Sequence, residues 1–400
     1  MAALQTCATD AQLQAHIQTA RQRSLHWYAR MQMPGAPHGV SRISALHDAQ
    51  QWPGMLLPGT YNAIMGRALL GDLANWSTQH KHDLAQWLIT MRQPSGVFRV
   101  PGMHDADVFK KPELAETWGY IDFHVSNYSL GALEFLSADA MPNYQILLSF
   151  VERFLDRDFL AQWLAKRDMR DPWLEGNNIV NLGSFLLEMA RTQTDKAARV
   201  QAVMQDLFAW HDASQEPSTG FWGVDQLQNP TKLLHAMAGS MHNYHLWYVT
   251  GRPLPHQDKA VDYSLTQPAR VHSACIDVDL VDLLVHAYWQ IDHRRTDIEH
   301  WLRTLLPELL AFQNADGGFA DVPDGPDVPP RRQDGWVRGY AEPQGHSNTF
   351  ATWFRWIAIA MIARCLWPQW EPFADGSASG LKGGWQFRRM PGIGFCKAPL

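Results

Sequence analysis

The chain is expected to be all-α, a closed (α/α)6 toroid in which six inner helices alternate with six outer ones. Three observations carry that expectation. A polar His/Asn/Asp cluster running straight into a small, apolar, helix-like stretch occurs six times. Amphipathic segments lie between most of these stretches. Alternating β-branched runs are almost absent from the 400 residues.

The six inner stretches, in chain order, begin with Pro58–Gly71 (PGTYNAIMGRALLG), Phe123–Leu136 (FHVSNYSLGALEFL) and Glu175–Met189 (EGNNIVNLGSFLLEM). Ser240–Val249 (SMHNYHLWYV), Ala274–Trp289 (ACIDVDLVDLLVHAYW) and Gly345–Met361 (GHSNTFATWFRWIAIAM) complete the set. Asp83–Met91 (DLAQWLITM) and Ile298–Phe312 (IEHWLRTLLPELLAF) are amphipathic and read as outer helices. In a toroid the polar leading ends of the inner helices gather at one mouth, where the chemistry is expected. Pro and Gly mark the helix boundaries, as in QPSGVF, MRDPWLEG and TGRPLPHQ.

No domain boundary is visible, so residues 1–400 are read as one domain. Residues up to about 45 form an N-terminal helical segment. A Pro-rich loop, 321–342, lies over the mouth, and a Gly-rich tail, 375–400, is irregular. Three turns repeat a smaller pattern: Gln93–Phe98, Ser218–Gly223 and Gln313–Phe319 each end an outer helix with a Gly followed by an aromatic. Gly supplies the left-handed cap and the aromatic packs back on the helix.

Net charge of −6 without a Lys/Arg stripe gives no footprint for nucleic acid. Cys7, Cys275, Cys365 and Cys396 lack CxxC spacing, which points to a reducing compartment rather than a disulfide framework. The N-terminus has no charged-then-apolar leader. The most apolar stretch, Trp356–Trp367, contains Arg364 and is too short to span a bilayer. A cytoplasmic protein without an integral membrane segment, acting on a small-molecule substrate, is the expectation; oligomeric state is not readable.

Gln313–Phe319 (QNADGGF), placed after an outer helix, resembles the Gln/Gly/aromatic turn of the terpenoid cyclase and protein prenyltransferase toroids. Cys275–Leu284 (CIDVDLVDLL) is similar in placement to the D-x-D-D acid motif of class II terpene cyclases, with Leu280 at the fourth position. The likeness covers 271–362 at motif level and the whole chain at the level of architecture. It implies acid-initiated cyclisation or rearrangement of an isoprenoid, with no cofactor required. Asp277, Asp279 and Asp282, with His346, are then the candidate catalytic residues. Asp279 and Asp282, three apart, share a helix face, and closely spaced carboxylates raise one another's proton affinity, as a general acid requires. Trp247, Tyr248, Trp289, Phe350, Trp353 and Phe354 are candidates for the aromatic wall. The prenyltransferase likeness implies a divalent metal, Zn or Mg, held by Cys275, Asp277 and His346, although the order of Cys and Asp is reversed here.

The proposed mouth is nevertheless polar. Candidate substrate-binding residues are His124, Asn127, Glu175, Asn178, His242, Tyr244, His245, Arg338, Tyr340, Glu342, Asn348 and Trp353. Asn62, Asn177, Asn181 and Ser347 accompany them. Buried amides and imidazoles without partners cost about 1–3 kcal/mol each, and sugar hydroxyls satisfy such groups. A carbohydrate-active toroid is therefore the alternative. As a lyase it would use Asn178, His242 and Tyr244; as a glycosidase, the carboxylates of Glu175 and Asp279. About half of the polar residues are expected to be helix caps instead. A non-catalytic binding protein is the third reading, because fold does not fix function.

Overall fold

The structure, a computed structural model, describes residues 9–100, 120–140, 146–224, 227–323, 331–332, 337, 340–342, 344–370, 372 and 384–397. The protein is all-α. Helix α1 (Asp10–Met31) starts with a capping box, in which the Thr9 hydroxyl accepts from Gln12 N–H and the Gln12 side chain accepts from Thr9 N–H. Then follow α2 (Leu56–Leu69), α3 (Thr78–Thr90), α4 (Tyr120–Ala140), α5 (Arg157–Ala165) and α6 (Pro172–Thr192). The second half holds α7 (Ala197–Ser214), α8 (Pro230–Thr250), α9 (Gln257–Ser264), α10 (Ala274–Gln290), α11 (Arg295–Ala311) and α12 (Thr349–Leu366). Among the described residues the only strands are β1 (Arg331–Arg332) and β2 (Ala341–Glu342), an antiparallel pair.

Burial separates the helices into two kinds. The odd-numbered ones bury one stripe: in α1, Leu13, Ile17, Ala20, Ser24, Trp27, Tyr28 and Met31, at spacings of three and four. The even-numbered ones are buried on nearly every side; α12 is buried without a break from Ala351 to Ala363. The even-numbered helices touch in chain order, α2 with α4, α4 with α6, α6 with α8, α8 with α10 and α10 with α12, and α12 returns to α2. Helix α3 packs on α4, α7 on α6, α9 on α10, α11 on α12, and α1 on α2 and α11. Each fully buried Leu, Ile, Val or Phe contributes about 1.5–3 kcal/mol, so the even-numbered helices hold most of the apolar stabilisation. Helix α12 alone among the described residues is long and apolar enough to cross a membrane, and 83% of it is buried inside the protein.

The repeated Gly–aromatic turns have a shared structural job. Gly96, Gly220 and Gly317 adopt left-handed backbone, at φ of 100°, 75° and 95°. Beyond each, a buried aromatic offers its N–H to a hydroxyl on an even-numbered helix. Phe98 donates to Ser126 Oγ on α4 at 2.9 Å, Trp222 to Ser240 Oγ on α8 at 2.8 Å and Phe319 to Thr352 Oγ1 on α12 at 2.9 Å. Ser41 N–H donates to Thr60 Oγ1 on α2 in the same way, at 2.9 Å. These bonds fix the height of each outer unit on its inner partner.

Four of the even-numbered helices, α2, α4, α6 and α8, start earlier than their polar clusters. Helix α8 begins at Pro230, ten residues before Ser240, because Asn229 Oδ1 accepts from Lys232 N–H and Pro occupies the first helical position. Asn62, Asn127, Asn177, Asn178, Asn181, His242 and His245 consequently lie inside helices rather than at caps. Of the residues weighed as caps, Asn348 is one: its Oδ1 accepts from Ala351 N–H at 2.7 Å at the head of α12. The polarity belongs to the protein's interior, not to helix ends.

Two further features shape that interior. Helices α6 and α8 meet backbone to backbone: a Cβ on Gly176 would lie 2.4 Å from Gly239 O, and Asn243 Nδ2 donates to both Gly176 O and Gly239 O. The segment 384–397 is irregular and enters between the even-numbered helices. Arg388 is buried there and donates to Asn127 Oδ1, while the Phe395 ring packs 6.0 Å from the ring of His245.

Candidate active site

Helices α8 and α10 run side by side and present two facing stripes of ionisable side chains. On α8 these are His242, His245 and Tyr248; on α10 they are Asp279, Asp282 and His286. Steps of three or four keep each set on one helix face. His242 Nε2 lies 3.8 Å from Asp279 Oδ1. His245 Nε2–H donates to Asp282 Oδ2 at 2.9 Å. His286 Nδ1–H donates to the Asp282 carbonyl oxygen at 3.0 Å and stands 3.1 Å from Asp282 Oδ1. The Tyr248 ring stacks on the His286 ring at 4.0 Å and 10°.

The two carboxyls, one turn apart, are held in opposite protonation states. Asp279 is fully buried and neither oxygen has a hydrogen-bond partner. Burial, and then the neighbouring Asp282, push its proton affinity well above the usual carboxylate range. Asp282 is equally buried, but the His245 and His286 imidazoles outweigh that burial and hold its carboxyl well below the usual range. Burial, with His245 adding to it, pulls His242 down to about 3, so its imidazole is neutral at physiological pH. The site therefore holds a protonated acid beside a neutral imidazole.

His242 also lines a cavity of about 280 Å³. Its walls are Tyr120, His124 and Tyr128 from α4, Trp173, Leu174 and Asn177 from α6, Cys275 from α10, and Phe350 and Phe354 from α12. The α6–α8 glycine contact sets Asn177 and His242 over the same space. His124 stacks on Tyr120 at 4.9 Å and meets Tyr128 edge-on at 4.3 Å. A second cavity, of about 480 Å³, lies at the C-terminal ends of α8 and α10, between Trp247, Tyr248, Trp289, Gln290 and Lys397. A larger cleft of about 600 Å³ at the C-terminal ends of α4 and α6 holds charges already paired, Glu134 with Arg389 and Glu188 with Arg191.

Other candidates stand elsewhere. Asp277 faces away from Asp279, because two positions on a helix turn the side chain by about 200°. It is ion-paired to buried Arg355, whose own pKa burial pulls down to about 9, and it accepts from His272 N–H. It therefore anchors α10 to α12. His346 is exposed, so it does not join the carboxylates. Asp277 and His346 being so placed, the Cys275/Asp277/His346 set does not fit a zinc or magnesium ion, and among the described residues no three His, Cys, Asp or Glu side chains form a metal-holding group.

The residues of the sugar-active readings are likewise dispersed. Glu175 is paired with Arg167 at 3.2 Å and accepts from Asn178 Nδ2 at 3.2 Å, so it is not an available partner for Asp279. Tyr244, two positions from His242, points the opposite way and donates to Gly220 O at 2.6 Å. Asn127 donates to Asn181 Oδ1 at 2.5 Å, deeper in the interior. Tyr340 donates to Glu342 Oε1 at 2.7 Å, and its ring packs on His47 and Trp52. Trp353 meets Tyr128 edge-on at 5.3 Å behind the cavity wall. Arg338 lies outside the described residues. Sequence reasoning missed Tyr120, Tyr128 and Trp173 as cavity walls, Arg355 as the partner of Asp277, and His286. The last was findable: it stands four residues after Asp282 on an apolar helix.

The fold and site together define a class, an all-α protein with a buried acid–imidazole pair against an aromatic cavity. No protein-family model matches the chain, and no curated protein matches it.

Proposed function

We propose that the protein is a single-barrel α/α toroid and an enzyme that starts its reaction by proton transfer from Asp279. The substrate is an unsaturated, isoprenoid-type molecule held in the aromatic cavity. The observation that carries this reading is Asp279 itself: a wholly buried carboxyl without a hydrogen-bond partner, 3.8 Å from an imidazole that lines the cavity. Burial without partners is costly, and behind a cavity-lining imidazole it serves to keep a carboxylic acid protonated at neutral pH. The contact of α12 with α2 supports the closed toroid.

The proton moves from Asp279 to His242 as His242 passes its own to the ligand, leaving the Asp279 carboxylate and a neutral imidazole. The developing carbocation is stabilised by the faces of Tyr120, Trp173, Phe350 and Phe354, whose π electrons attract cations. At about 30 Å³ per water-sized group the cavity accommodates roughly nine or ten heavy atoms, a short isoprenoid. The carbohydrate reading draws no comparable support, because Glu175 and Tyr244 are engaged elsewhere.

The test is to incubate the protein and its Asp279→Asn variant with linear isoprenoids and prenyl diphosphates and to identify products by mass spectrometry. A rearranged or cyclised product, lost by a factor of about 100 or more in the variant, is the expected result. No product from any of them, or undiminished product from Asp279→Asn, overturns the reading.

A further inference from the structure

The facing stripes on α8 and α10 extend beyond the acid, to the opposite end of both helices. We propose that they form a proton path through the interior, from the cavity at the C-terminal ends of α8 and α10 to Asp279. This deepens the reading of Asp279 as proton donor and rests on it. Three rungs make the path: Tyr248 with His286, His245 with Asp282, and His242 with Asp279. All six side chains are buried, the most exposed, His242, at 5%. The two ends face different cavities, His242 the smaller and Tyr248 the larger.

The arrangement exceeds what packing requires. A file of buried ionisable groups between two helices costs stability that Leu or Phe would not. The ring nitrogens not used on Asp282, His245 Nδ1 and His286 Nε2, are buried without partners. Each imidazole thus keeps one nitrogen able to take or give a proton while the other meets Asp282, His245 through its hydrogen bond to Oδ2 and His286 at 3.1 Å from Oδ1. Asp282 joins the two rings and is the branch through which a proton arriving at one reaches the other.

The need follows from the reaction. A ligand filling the smaller cavity covers His242 and blocks that route to solvent. Once Asp279 has given up its proton, two carboxylates stand one helical turn apart, and their repulsion draws a proton along the file. The balance closes: the Tyr248 hydroxyl, at the larger cavity, takes a proton from water there and gives its own to His286 Nε2, and His286 gives its Nδ1 proton to Asp282. Asp282 passes it to Asp279, so the file returns to its starting charge, and rotation of the His286 ring restores its Nδ1–H tautomer. The wider gaps are closed by a ring rotation or one bridging water during transfer.

Infrared spectroscopy tests this without any substrate. The carboxylic acid C=O stretch of Asp279 is assigned as the band lost in Asp279→Asn, and its shift after transfer into D2O times the exchange of its proton. Tyr248→Phe and His286→Phe keep the rings and break the far end of the path; His242→Phe closes the near end. The expected result is exchange at least ten-fold slower in Tyr248→Phe and His286→Phe, with unchanged circular dichroism. Exchange at the wild-type rate in both, or slowing only in His242→Phe, overturns the path while leaving the acid intact. Absence of any band removed by Asp279→Asn overturns the acid reading, and the path with it. If His286→Phe does not fold, Tyr248→Phe, which deletes one hydroxyl, decides.

Discussion

His245 and Asp282 share a 2.9 Å hydrogen bond between two side chains with no solvent exposure. That bond, with His286 on the other side, keeps Asp282 ionised where burial alone would neutralise it. Asp279, one turn earlier on the same helix, has no such partner and stays protonated. The two carboxyls therefore answer opposite questions about pH, and their neutral amide replacements separate them.

For Asp279→Asn, stability should depend on pH in one direction. The folded protein holds a proton that the unfolded chain releases above its ordinary pKa of 3.8, so the wild type loses stability as pH rises past that value. Asn does not titrate. Thermal unfolding should show the variant equal to wild type near pH 4 and progressively more stable than it toward pH 8. A gap that shrinks with rising pH would contradict a protonated Asp279.

Asp282→Asn should behave the other way. Its depressed folded pKa adds stability that is present above 3.8 and disappears as pH falls toward the folded value. Removing the charge between two buried imidazoles should cost about 3–5 kcal/mol at pH 7, with the deficit narrowing below pH 4. Denaturant titrations at pH 7 and pH 3 measure it.

Asp277 should matter for stability and not for proton transfer. Arg355→Met strands its buried carboxylate and should cost about 3–5 kcal/mol. The partial sparing of that loss in the Arg355→Met/Asp277→Leu double variant, read by a double-mutant cycle, distinguishes an ion pair from simple packing.

Phe350 is a partly buried wall of the cavity. Phe350→Ala should raise KM for an accepted isoprenoid about ten-fold, equivalent to ~1.4 kcal/mol, while lowering melting temperature little. Unchanged KM would place the substrate elsewhere.

Gly176→Ala should disturb the α6–α8 contact, since the new Cβ meets Gly239 O at 2.4 Å. A loss of about 1–3 kcal/mol is expected, measurable by denaturant unfolding.

Much of the architecture was legible because helix period and turn chemistry are local. The Gly and aromatic of Gln313–Phe319 announce a capped turn, and α12 announces its burial through Trp353, Phe354, Trp356 and Ile357 in near succession. The spacing of Asp279 and Asp282 puts both on one face of α10, where the structure has them. What was not legible depends on which helix lies opposite. Nothing local assigns Asp277 to Arg355, 78 positions later, or Glu175 to Arg167 across the start of α6. The polar cluster at Ser240 reads as a helix entrance, although the helix already runs from Pro230. The stronger start signal, Asn229 followed by Pro230, lay upstream. Tyr244 and His242 suit one lyase site by residue type, but two positions apart on a helix they face opposite ways.

The contact between α12 and α2 also has a consequence in time. During synthesis α2 leaves the ribosome about 280 residues ahead of the helix that finally covers it, and long-range closures of this kind are slow. Until then its apolar flank is open to chaperones or to wrong neighbours. Segment 384–397, which supplies Arg388 and Phe395 to the interior, follows later still. The acid, the imidazoles and the cavity walls reach their final surroundings only once α12 and segment 384–397 have been made, and a ribosome that stalls before α12 leaves behind a chain whose chemistry has not yet been assembled.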